Sequence, residues 1–223
     1  MNKKKLIILI AMLMVMAFTA CAGAEEQKED NSVTEEEQMS SMPEEKQEDS
    51  QVIAEAIPES TPEPVFEDYA IEWKDEYLEV AMREVTGIYD RDIMYSDVKD
   101  ITDLDLSDSL IRDISALGNL VNLTSLNLSE NYISDIASLS NLTNLTSLNL
   151  GYNHYISDIS ALGNLTKLEK LWLRHNNISD ISVLSNLKNL QSLYVNETGI
   201  SDISALSNLT NLKALGLGNN EIS

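Results

Sequence analysis

The segment LTSLNLSENYISDIASLSNLTN, residues 123 to 144, is followed at once by LTSLNLGYNHYISDISALGNLTK, the same line with a few letters changed. Units of this kind begin at Ile101, Leu123, Leu145, Leu168, Leu190 and Leu212, at intervals of 22, 22, 23, 22 and 22 residues, and the sixth stops at Ser223. In the second unit the apolar positions are Leu123, Leu126, Leu128, Ile133, Ile136, Leu139 and Leu142, and every other complete unit keeps an apolar residue at each. The LxxLxL part alternates as a strand does, while the part after Ile133 spaces its apolar residues by three, as 3-10 or similar turns would. The extra residue of the third unit lies in NHYI, at the turn after the strand, where an insertion bulges out without disturbing the core register. One unit cannot bury its own apolar face. Stacking against its neighbours can, which is why the chain repeats itself.

The pattern L-x-x-L-x-L-x-x-N-x-I-x-D-I-x-x-L is the signature of a leucine-rich repeat solenoid. LVNLTSLNLSENYISDIASLSNLTN resembles the 22-residue repeats of the internalin family of bacterial surface proteins, and the resemblance covers residues 101 to 223. Upstream, YAIEWKDEYLEVAMREVTG has amphipathic helical spacing, with Leu78, Ala81, Met82 and Val85 on one face and Gly87 as a stop. A second turn of helix is expected over RDIMYSDVK with Asp90 as its N-cap. The block from Ile71 to Asp100 resembles the N-terminal cap of bacterial leucine-rich repeat proteins. The resemblance implies an α/β solenoid, with a curved parallel sheet on the concave side and short 3-10 turns on the convex side. A helical cap at 66–100 precedes repeats at 101–223, the last of them truncated.

The first twenty residues read as a targeting segment. Lys3, Lys4 and Lys5 form a basic n-region, and Leu6 to Phe18 form an apolar h-region too short to span a bilayer comfortably as a helix. FTAC resembles a bacterial lipobox, with Phe18 where that pattern has leucine. The resemblance implies that Cys21 carries the lipid, palmitate among its acyl chains, and becomes the mature N-terminus. The alternative is an ordinary secretory signal cleaved near Ala22 or Ala24. Cys21 is the only cysteine, which fits an exported chain without disulfides. Residues 22–65 hold fourteen Asp or Glu against two Lys, so this segment is expected to be a disordered acidic tether. As a coil it would span roughly 35 to 40 Å.

The net charge of −22 becomes −25 once the three leader lysines are removed, and no Arg/Lys stripe faces phosphates. Nucleic acid is therefore excluded as a partner, and an anionic membrane surface is disfavoured except through the lipid.

Asn131, Asn153, Asn176 and Asn220 share one offset, with Ser109 and Thr198 standing in elsewhere; their amides are placed to bond turn backbone between coils. Asp113, Asp135, Asp158, Asp180 and Asp202 recur at another offset and are placed to cap the turn that follows, a stacked metal site being the alternative. The NLT triplets at Asn122, Asn141, Asn144, Asn164 and Asn208 match a glycosylation sequon but read as repeat consensus.

Function is expected where the repeat stops repeating on the concave face. Outward strand positions are small or polar in most units, but the fourth carries Lys170, Trp172 and Arg174 and the fifth Tyr194. An aromatic pair on neighbouring strands with flanking cations has the composition of a binding hot spot. The rival account is that Trp172 covers the small residues of the sixth unit. Tyr152, His154, Tyr155 and His175 lie at the adjacent rim. His154 and His175 could form a two-histidine zinc site, but neither has a carboxylate or thiol companion at ligand spacing. No nucleophile elbow or phosphate loop is present, so neither enzymatic activity nor a cofactor is expected.

The expectation is a monomeric, lipid-anchored module on the bacterial cell surface that binds a protein, or a glycan, through its concave face. The alternative is a structural spacer or fragment whose activity lies elsewhere. Cys21→Ala should be released from the membrane or left unprocessed, as read by fractionation and mass of the N-terminus; membrane partition after normal processing contradicts the lipid anchor.

Overall fold

A computed structural model describes residues 68–222. The leader, Cys21 and the acidic segment lie outside the described residues, as do Phe66, Glu67 and Ser223.

Helix α1 spans Glu76–Thr86 and starts because Asp75 is an N-cap: its Oδ1 accepts the N–H groups of Tyr77 at 2.9 Å and Leu78 at 3.0 Å. Gly87 ends the helix in the left-handed conformation at φ 70°. Leu78, Ala81 and Met82 are buried as their spacing predicts, but Val85 is 46 % exposed. The last turn of α1 runs past the contact, whereas Val80 and Arg83 are buried on the flank that the returning chain covers. Arg83 holds that return, donating from Nη1 to the carbonyls of Ile88 and Arg91, both at 2.9 Å.

Asp90 does not cap the second helix, which spans Tyr95–Val98 (α2) and follows Met94. The reason is an antiparallel bridge between Ala70 and Met94. Ile71 N–H donates to Ile93 and Tyr95 N–H to Tyr69, so the chain stays extended until Tyr95. Asp97 then reaches back to accept Met94 N–H at 2.8 Å, and the Arg91 guanidinium beside it holds its carboxyl down to about 2.

Six three-residue strands follow: β1 Asp103–Asp105, β2 Ser125–Asn127, β3 Ser147–Asn149, β4 Lys170–Trp172, β5 Ser192–Tyr194 and β6 Ala214–Gly216. They pair in chain order and all in parallel, each leucine opposite its counterpart, so Leu126 faces Leu148 and Leu148 faces Leu171. The insertion in the third unit leaves this register untouched. Short 3-10 turns at Ser115–Asn119, Ala137–Asn141, Ser160–Asn164, Ser182–Asn186 and Ser204–Leu206 line the opposite side. This is a leucine-rich repeat solenoid with its parallel sheet on the concave side. The core is the stack of repeat aliphatics, with Leu123, Leu128, Leu139 and Leu142 fully buried. Each coil's core is closed by the next one. Leu215 and Ile203, in the last two described coils, are exposed.

The turn after every strand passes through a left-handed residue, at Asp108, Glu130, Tyr152, His175, Glu197 and Asn219, with φ between 52° and 59°. None is glycine, and each such position costs on the order of 1 kcal/mol. The asparagine that follows compensates. Asn131 Oδ1 accepts from Ser109 N–H and Ile111 N–H of the previous coil, while its Nδ2 donates to the carbonyls of Leu106 and Leu128. Asn153 and Asn220 repeat the pattern, and Thr198 Oγ1 donates to Val195 where the amide is missing.

Asn176 keeps only the donor half, since its buried Oδ1 has no partner among the described residues. The inserted residue shifts Ile156 N–H away from the place that Ile111 and Ile133 N–H hold in earlier rungs. The aspartate row caps the 3-10 turns: Asp113, Asp158, Asp180 and Asp202 each accept the N–H of the serine two residues on, and bonds from that serine's side chain and backbone lower their carboxyl pKa, the side chain foremost at Asp113, while Asp135 accepts from Ala137.

The cap is joined to the first coil by the same carboxylate that starts α1. Asp75 Oδ2 accepts Arg112 N–H at 2.7 Å and Asp113 N–H at 3.0 Å, with the side chain buried. Asp75→Ala removes a helix cap and strands two backbone donors, so it should destabilise the chain by about 2 to 4 kcal/mol. Asp75→Ser, which retains the cap alone, should fall between. Urea denaturation measures both, and a loss below about 1 kcal/mol for the alanine variant contradicts this role.

Candidate binding face and rim

Outward side chains of the six strands form three rows. The first row is Asp103, Ser125, Ser147, Lys170, Ser192 and Ala214, and the second is Asp105, Asn127, Asn149, Trp172, Tyr194 and Gly216. Ser107, Ser129, Gly151, Arg174, Asn196 and Gly218 follow in the third. Parallel register makes row neighbours spatial neighbours about 4.8 Å apart.

The floor of β2 and β3 is small and polar, and its groups bond one another. Asn127 Oδ1 accepts from Ser129 Oγ at 2.8 Å, and Asn149 Oδ1 accepts from Gly151 N–H at 3.0 Å. At β4 this changes. Trp172 and Tyr194 stack in parallel, centroids 6.2 Å apart and planes within 4°. They are half-buried rather than fully exposed, because each covers the other and Tyr194 leans over Gly216. A Cβ at Gly216 would lie 2.7 Å from Tyr194 Cδ1, so glycine is required beneath that ring. Since Tyr194 lies between Trp172 and Gly216, the other face of Trp172 looks towards Asn149.

Lys170 and Arg174 flank Trp172 on its own coil, and both are exposed. Among the described residues neither has a carboxylate within ion-pair distance. The Arg174 guanidinium instead lies 5.0 Å from the Tyr152 ring centroid. Gly151 leaves room for this, since a Cβ there would meet Arg174 Cγ at 3.2 Å.

At the rim, Tyr152 stacks on His175 at 4.1 Å, and His154 stands edge-on to both at 6.4 Å. Tyr155 is 62 % exposed beside them. His175 does have a carboxylate companion, contrary to the expectation from local spacing: Glu197 Oε2 lies 3.1 Å from its Nδ1 and comes from the next coil. Among the described residues no group of three or more His, Cys, Asp or Glu side chains could hold a metal ion. Asparagines 131, 153 and 176 are buried inside the stack, and Asn220 is half-buried at the same offset.

A second amide ladder escaped the sequence reading. Asn122, Asn144, Asn189 and Asn211 each donate to a carbonyl one coil back, at Lys99, Val121, Thr166 and Lys188, over 2.8 to 2.9 Å. Lys167 takes that position in the fourth coil and donates to Asn144 Oδ1 at 2.7 Å. The signal is present in the sequence, since asparagine precedes the first leucine in four of the five units that begin with leucine, but Asn122 and Asn144 also match the sequon.

Comparisons with known proteins agree with this geometry. A family model described as Leucine Rich repeats (2 copies) matches residues 121–164, 143–186, 166–208 and 188–223. Among curated proteins no sequence match is found. Among solved structures, an internalin (inlF) of Listeria monocytogenes is 39% identical with a TM-score of 0.64, over 67% of this chain and 44% of that one. Internalin C2 of the same organism is 38% identical with a TM-score of 0.54, over 55% of this chain and 54% of that one. A plant peptide hormone receptor, RGFR1 in complex with RGF2, is 30% identical with a TM-score of 0.51, over 56% and 22% of the two chains. The chain thus spans about half the length of the internalins it matches. The repeat region of this chain is a leucine-rich repeat solenoid, similar in structure to those of the Listeria internalins.

Proposed function

We propose that this chain is a non-enzymatic surface module, exported and lipid-anchored at Cys21, which binds a protein ligand through the concave face of its solenoid. Trp172 and Tyr194 are the anchors, Lys170 and Arg174 orient the ligand, and Tyr152 and His175 extend the contact along the rim. The observation that carries this reading is the stacked aromatic pair beside two cations that have no carboxylate partner among the described residues, on a sheet face that is otherwise small and polar. Solenoid curvature makes such faces extended binding surfaces, and half-buried aromatics ringed by polar groups supply binding energy there. The plant peptide hormone receptor of the same fold is in complex with RGF2, which supports recognition of protein ligands by this architecture. Residues 22–65 serve as a spacer between the membrane and the solenoid.

One observation favours a packing role instead. Tyr194 fills the space above Gly216, so the pair also packs over the sixth strand, shielding its glycine. The Trp172→Ala, Tyr194→Ala double variant separates the two. Against a panel of binders selected on the full chain from a random peptide library, binding should weaken about ten- to a thousandfold while the far-UV spectrum is unchanged. Full affinity in the folded double variant removes the concave-face reading and leaves shielding as the role of the pair.

A further inference from the structure

The concave face is polar in a second sense, along the axis of the stack. Residues 66–122 hold fifteen Asp or Glu against five Lys or Arg. From residue 123 onward the first cation is Lys167, and all five Lys and Arg lie at or beyond it. The first outward row begins with the exposed Asp103 and reaches Lys170 three strands later, with only Ser125 and Ser147 between. At the ordinary strand spacing this sets the two residues' backbone positions roughly 14 Å apart. The floor between them presents small groups that already bond one another, so a ligand lying there need not bring charge to it. Its far end is walled by the open face of Trp172, between Lys170 and Arg174.

Resting on the concave-face reading, we infer that the ligand segment lies across the strands in extended form and is itself dipolar. A carboxylate side chain sits between Lys170 and Arg174 against Trp172, and a cationic side chain lies at Asp103. An extended chain advances about 3.3 Å per residue, so the two charges stand about four residues apart. A uniformly acidic segment meets the cations but is repelled by Asp103 and by the excess of acid in the cap and first coil. A uniformly basic one is repelled at β4. Only the mixed segment is attracted at both ends, and opposed charges fix its direction.

The test uses the full chain and three capped synthetic peptides of equal length, followed by backbone amide NMR shifts at low ionic strength. One peptide has paired lysines and paired aspartates with four-residue spacing, one has aspartate at both places, and one has lysine at both. The dipolar peptide should bind at least about tenfold more tightly than either uniform peptide, and its advantage should shrink as salt is raised. Asp103→Lys and the Lys170→Glu, Arg174→Glu pair should each remove that advantage; both sites are exposed, and unchanged melting confirms an intact fold. No preference for the dipolar peptide, no binding of it at millimolar concentration, or an unaffected preference in Asp103→Lys overturns the inference. If Trp172→Ala with Tyr194→Ala weakens every peptide while Asp103→Lys changes none, the concave-face reading stands and the dipolar ligand falls. If the aromatic variant also leaves every bound peptide unaffected, both fall.

Discussion

Everything in this molecule depends on how one coil satisfies the backbone of the next. Each coil has a strand of only three residues, so most of its N–H and C=O groups lie in turns that no sheet ladder reaches. Buried in a stack, those groups need partners, and an unmet one costs about 1 to 3 kcal/mol. The asparagine rungs meet them by accepting with one atom of the amide and donating with the other, across the interface between coils. The left-handed residue before each rung is the strained element that brings strand and turn together, and it is held by a further N–H bond to the next coil, such as Tyr152 to the Arg174 carbonyl at 2.8 Å. The second amide ladder performs the same service on the opposite side of each strand.

This dependence explains what could be read from the chain and what could not. Packing imposes the period, so the aliphatic grid, the parallel order of the strands and the 3-10 turns were legible in the spacing of leucine and isoleucine. Row membership on the concave face was legible too, because side chains on a strand alternate. The half-burial of Trp172 and Tyr194 was not, as it depends on ring tilt and on the missing Cβ of Gly216. Asp75 was missed because its second pair of bonds joins residues 37 and 38 positions away. Asp90 was assigned a cap because local preference favours aspartate there, yet tertiary pairing at Met94 overrode it. The left-handed positions gave no warning, since none of the six is glycine.

The insertion at the third coil shows how grid and face are divided. It leaves the strand register alone and confines its cost to one rung, where Asn176 Oδ1 has no donor among the described residues. Its product is the imidazole and phenol cluster at the rim, with His154 edge-on to a Tyr152 and His175 stack. A solenoid can carry such a local departure because each coil contacts only its neighbours, so the disturbance is not propagated. Variation gathers on the sheet face and rim for the same reason: those side chains do not carry the buried amide rungs that join one coil's backbone to the next.

The central claim, that the amide rungs couple one coil to the next, is tested most directly by native-state hydrogen exchange on Asn153→Ala. The rung at Asn153 joins the second and third coils through Ile133 N–H and the carbonyls of Leu128 and Leu150. The account predicts that amides of both coils, including Leu128, Ile133 and Leu150, lose protection together and by a similar factor. Loss confined to Ile133 N–H, with the rest of both coils as protected as before, would contradict it.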